Sequence, residues 1–120
     1  MTKSNRSFEK INDDIKSAGQ TFLGFYMSDL IKRIPELDDK DLKKRLIREY
    51  YDNQRGFRDS DISGTQTRVN SAIRIIRADK VIYALSQIDG SDPRVDKGAV
   101  YYAKQTIEKI HNGEIKLPKL

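Results

Sequence analysis

Asp59, Asp61, Ser63 and Gly64 stand at the first, third, fifth and sixth places of the stretch DSDISGTQTRVN. Oxygens in that order, followed by a glycine for the sharp turn, are how a twelve-residue loop takes hold of calcium. The twelfth place asks for a bidentate carboxylate, and here it holds Asn70, with a single neutral oxygen. The neighbourhood is also rich in arginine (Arg45, Arg48, Arg55, Arg58, Arg68 and Arg74), which repels a dication.

The stretch thus resembles the front half of an EF-hand loop and departs from it at the strongest ligand. Aspartate, serine and glycine are equally the residues of turns and helix caps, and that is the expected role of this segment. No metal and no cofactor are expected. Catalytic constellations are thin elsewhere. His111 is the single histidine and falls near a helix C-terminus, where a cation meets the helix dipole favourably. Without cysteine or a second histidine it has no partner for nucleophilic work. Glu114 to Lys116 spell the E-x-K half of a metal-dependent nuclease motif, but no strand pattern accompanies it. An enzyme is not expected.

A different chemistry follows from the polar residues after Gly64. At 100° per residue from Gly64, Thr67, Asn70, Arg74 and Arg77 fall between about 220° and 300° of one helix, opposite Val69, Ala72, Ile73 and Ile76 at about 80° to 180°. Arginine pairs with guanine's two acceptors, asparagine with adenine's donor and acceptor, and threonine with base edges or the thymine methyl. Lys43, Lys44 and Arg48 on the preceding segment, with Arg68, supply cations for phosphates. The open first turn of the helix would suit a phosphate as well.

The stretch SGTQTRVNSAIRII looks like the second half of a helix-turn-helix, which implies a recognition helix in a major groove. That motif joins its helices by three or four residues, whereas nine, Arg55 to Ser63, intervene here.

Charge distribution supports a polyanionic partner. Eleven of the 23 Lys and Arg residues lie between Lys40 and Lys80, against six of the 18 Asp and Glu residues. The whole formal charge of +5 therefore sits in the middle third, and the remainder is neutral.

These residues need elements to position them, and the periodicity is helical nearly throughout. Phe8, Ile11, Ile15, Ala18, Phe22 and Phe25 trace one helix face, with a break or a close contact expected at Gly19 or Gly24. A continuation runs to Pro35. Asp38 or Asp39 caps the next helix, whose buried stripe is Leu42, Leu46, Ile47 and Tyr50. In the helix that follows, Ser63 and Gln66 fit a capping box. Its apolar stripe rotates by more than a quarter turn near Asp79. Either the helix breaks there or one long helix passes between two packing partners, which would suit a dimer. Asp92 and Pro93 read as the cap and first residue of the last helix, whose face is Val95, Ala99, Tyr102, Ala103, Ile107 and Ile110. Asn112 and Gly113 close it. Tyr50–Tyr51 and Tyr101–Tyr102 each send at most one ring inward.

The expected fold is all-α: one compact domain over residues 1–120, a bundle of four to five helices with a helix-turn-helix-like pair in the middle. Residues 1–6 and 114–120 are expected to be flexible or extended tails. No apolar run is long enough to span a membrane, and MTKSNRSFEK lacks the apolar stretch of a signal peptide. A cytoplasmic protein without disulfides is expected.

The function that fits best is a small nucleic-acid-binding protein, double-stranded DNA foremost and expected to form a homo-oligomer, of the kind that serves as a regulator or accessory factor in a bacterium, phage or mobile element. The rival is a helical interaction module, an adaptor or inhibitor, docking an acidic protein through Ile75, Ile82 and the KLPKL tail.

Overall fold

The computed structural model describes residues 6–119. Six α-helices appear among them: α1 (Phe8–Ala18), α2 (Gln20–Lys32), α3 (Lys40–Asp52), α4 (Ile62–Arg77), α5 (Val81–Ser86) and α6 (Lys97–His111). A short 3-10 turn, Ile34–Asp38, links α2 to α3, and no strand occurs among the described residues. The all-α reading of the periodicity therefore holds. Two sequence-marked breaks raise the number of helices above the four or five expected.

The first break is at Gly19, whose φ of 86° is a conformation that side chains rarely adopt; there α1 ends and α2 begins. The second is at Asp79, with φ of 58°, between α4 and α5. The rotated apolar stripe is thus a change of helix rather than one long helix shared by two partners, and the argument for a dimer drawn from it falls away. Ile75, expected at the surface, is fully buried, and Ile82 is half-buried.

The core is one apolar cluster drawn from every element. Ile11, Ile15 and Ala18 of α1 meet Val69, Ala72, Ile73 and Ile76 of α4, while α2 contributes Phe22, Leu23, Met27 and Leu30. Helix α4 packs mainly on α1, and α2 on α6. The approach of α2 to α6 is so close that a Cβ at Gly24 would collide with the Ala99 carbonyl and lie 2.8 Å from the Ala99 Cβ. That contact, rather than a kink, is why glycine stands at position 24 inside a helix.

Caps and turns depart from the sequence reading in two places. Helix α4 starts at Ile62, with Asp61 accepting from the Ser63 amide, so the Ser63–Gln66 capping box does not form. Helix α6 starts at Lys97, with Asp96 as its cap. Asp92 instead accepts from the Arg94 amide and guanidinium in the turn before it. Asp39 does cap α3, accepting from the amides of Asp41 and Leu42.

Leu42 (38% exposed) and Phe8 (55%) lie outside the core they were expected to join. Phe8 packs edge-on against Tyr83 under the Lys80 ammonium. The C-terminal segment after α6 is not helical but is anchored: Ile115 is buried, its amide bonded to the Lys109 carbonyl, and Leu117 packs on the core. Arg6 is bound to Asp14, and residues 1–5 of the expected N-terminal tail lie outside the described residues.

Polar joints tie the helices together. Arg33 reaches Asp29, Glu36 and Glu49, and so joins α2, the 3-10 turn and α3. Tyr50 of α3 donates its phenol to the Asp29 carboxylate of α2. No helix among the described residues is long and apolar enough to cross a membrane.

Candidate nucleic-acid interface

Asp59 and Asp61, the residues of the calcium-like spacing, have other partners. Asp59 receives two arms of the Arg68 guanidinium at 3.0–3.2 Å and the Thr65 hydroxyl at 2.9 Å. Asp61 caps α4. The segment orders the entry into α4 through the protein's own charges. The anion favoured by the positive end of α4 is a side chain of the same chain, so the place expected for a phosphate at this helix end is taken.

Arg68 belongs to this joint. Its third contact is the Ala18 carbonyl, at 2.7 Å, and its guanidinium lies 5.1 Å from the Phe57 ring centre. It therefore locks the α1–α2 junction to the loop before α4.

Of the remaining predicted residues, Lys43, Lys44 and Arg48 line one groove and Arg74 and Arg77 act on Lys43 beside it, whereas no contact among the described residues joins Thr67 or Asn70 to that groove. Lys40, Lys43, Lys44, Ile47 and Arg48 of α3, with Ile62 and Gln66 of α4, line an open groove of about 530 Å³. Its cations outnumber its acids completely, since no carboxylate lines it. Lys40, Lys43 and Lys44 have no carboxylate within ion-pair distance among the described residues. Arg48 bonds Asp52 at 3.2 Å and lies over the Tyr51 ring.

Next to this groove, Arg74 and Arg77 of α4 come close enough to Lys43 of α3 for their charges to act on it. Burial, and then repulsion from Arg77 and Arg74, lower the Lys43 ammonium below the ordinary lysine range. Three cations from two helices thus stand in one another's field.

Arg74 and Arg77 are themselves held. The Arg74 guanidinium donates to Asp14 at 2.9 Å and to the Ser71 hydroxyl at 3.0 Å. Asp14 is buried in α1 and also accepts from Arg6 at 2.9 and 3.2 Å. Arg77 donates to Asp38 at 2.9 Å. Thr67 is exposed, with its hydroxyl bonded to the Ser63 carbonyl one turn back. Asn70 is half-buried, and its amide makes no hydrogen bond among the described residues.

Sequence reasoning missed Lys40 and Gln66. Lys40, Lys44 and Arg48 follow one another at four-residue steps, a spacing that places them on one helix face and was open to reading. Gln66 was obscured by the capping-box pattern. The helices α3 and α4 pack against each other, but residues 53–61 between them include no helical turn, so the pair lacks the tight connection of a helix-turn-helix.

Comparison of the chain with protein-family models, with curated proteins and with solved structures found no match.

Proposed function

We propose that the α3–α4 face binds nucleic acid, double-stranded DNA foremost, and that the protein acts as a non-enzymatic regulator or accessory factor. The observation that carries this reading is the groove of Lys40, Lys43, Lys44 and Arg48 that no carboxylate lines, with Arg74 and Arg77 close enough to repel the half-buried Lys43 ammonium. Cations held close together create a positive potential that a row of phosphates relieves. Lys40, Lys43, Lys44 and Arg48 are the phosphate contacts. Arg74 and Arg77 support the same field from α4, while Arg68 serves the fold.

The test is the affinity for random-sequence duplex DNA across a salt series. Each phosphate contact contributes close to one unit to the slope of log affinity against log salt. The triple variant Lys40→Ala/Lys43→Ala/Lys44→Ala is expected to bind more weakly and to lower that slope by roughly 2–3. Absence of duplex binding at low salt, or binding indifferent to salt, overturns the proposal.

A second reading is favoured by one feature of the same groove. Ile47 and Ile62 give it an apolar floor between the lysines, which suits an acidic amphipathic segment of another protein. The features that first suggested a docking module are weaker, since Ile75 is buried and Leu117 of the KLPKL tail packs on the core. Self-association is tested separately, by light scattering of the purified chain.

A further inference from the structure

Four side chains on the exposed face of α4 had the chemistry to read bases, and their surroundings divide them. Arg74 and Arg77 donate to Asp14 and Asp38, and Arg74 also to Ser71. A guanidinium in that position adds charge but cannot turn its fork to a guanine without breaking those bonds. The Thr67 hydroxyl donates to its own helix.

Asn70 and the exposed Gln66, one turn before it, are different. Neither amide has a hydrogen-bond partner among the described residues. No buried side-chain nitrogen or oxygen is left unpartnered among those residues, so the Asn70 amide, although its residue is half-buried, reaches solvent. Gln66 also lines the groove with Lys40, Lys43, Lys44 and Arg48.

Resting on the duplex-binding reading above, we infer that Gln66 and Asn70 are the specificity-determining pair of this face and that they select adenine. A primary amide offers a donor and an acceptor side by side, which match the N6 and N7 edge of adenine in the major groove. Four residues of helix advance about 6 Å, close to two base steps of about 3.4 Å along one strand. The phosphate-binding lysines sit on the neighbouring helix, so the amides are carried toward base edges while α3 follows the backbone. Arg74 and Arg77 hold α4 in place through α1 and the 3-10 turn.

Selection from a duplex library with a randomised core, followed by titration of one A·T-core and one G·C-core duplex, tests this. Wild-type protein is expected to enrich adenine at two positions. Gln66→Ala and Asn70→Ala are each expected to lower affinity for the A·T duplex roughly tenfold while leaving the G·C duplex unchanged. Arg77→Ala serves as the control and should weaken both duplexes alike.

Salt-sensitive binding without base preference, or a preference that survives the Gln66→Ala/Asn70→Ala double variant, overturns the adenine inference and leaves the interface standing. Lack of salt-sensitive binding to either duplex removes the interface and the inference together. Saturable binding of an acidic peptide in that last case favours the docking reading.

Discussion

The Arg74 guanidinium of α4 donates to the Asp14 carboxylate of α1 at 2.9 Å, across sixty positions of sequence. Asp14 is one of the few polar residues in the core, with its side chain 4% exposed, and Arg6 approaches it from the other side. One buried anion therefore anchors two cations and fixes how far the α4 face stands from α1. Asp14→Ala would leave two guanidiniums facing an apolar hollow. Because the Arg74 side chain is 44% exposed and can turn to water, the cost is about 2 kcal/mol, below the range for a fully enclosed pair. Urea unfolding measures it, and an unchanged midpoint would show that the joint is not structural.

Tyr50 gives the clearest pH dependence. Burial, the hydrogen bond to Asp29 and that residue's charge raise its phenol far above the ordinary value near 10. A raised folded-state value means that the contribution is complete below about pH 10 and is lost as pH rises further. Alkaline absorbance titration should show one of the six tyrosines ionising only as the protein unfolds. Tyr50→Phe should remove that late step and lower stability by about 1–2 kcal/mol.

Lys43 is expected to behave in the opposite sense. Its folded-state value is lowered, so the unfolded chain binds the proton better, and stability should rise with pH over the window below the ordinary lysine value. Lys43→Met removes the strain, and melting temperature at low salt and neutral pH should increase by about 1–3 °C. High salt should shrink the gain by screening Arg74 and Arg77. The same variant should bind duplex DNA less well, and thermal melts at two salt concentrations beside one DNA titration check both halves.

Calcium in the millimolar range should leave the melting temperature unchanged, because Arg68 and Thr65 cover the Asp59 carboxylate and Asp61 caps α4. Arg68→Ala, by contrast, strips Asp59 and the Ala18 carbonyl of a shared donor and is expected to lower stability by about 2–3 kcal/mol. A calcium-dependent rise in the melting temperature of the wild type would restore the metal reading.

The apolar spacing of Ile11, Ile15 and Phe22 and of Val69, Ala72 and Ile73, with Gly19 and Asp39 as punctuation, fixed the all-helical character of the chain. Periodicity and capping act within a few residues, so they are legible from the chain alone. Charge is a sum over the chain, and the concentration of cations from Lys40 to Lys80 was legible for the same reason. Which aspartate caps a helix was not, because Asp61 and Ser63, or Asp92 and Asp96, are rivals of similar local merit and the packing of α4 and α6 chooses between them.

The partners of the arginines were beyond local reading altogether. Arg68, Arg74 and Arg77 look alike along α4. Only the folded arrangement gives them Asp59, Asp14 and Asp38, and leaves Gln66 and Asn70 open. Electrostatic pairing depends on separation in space, and residues up to sixty positions apart meet only when the core has set the distance between their helices.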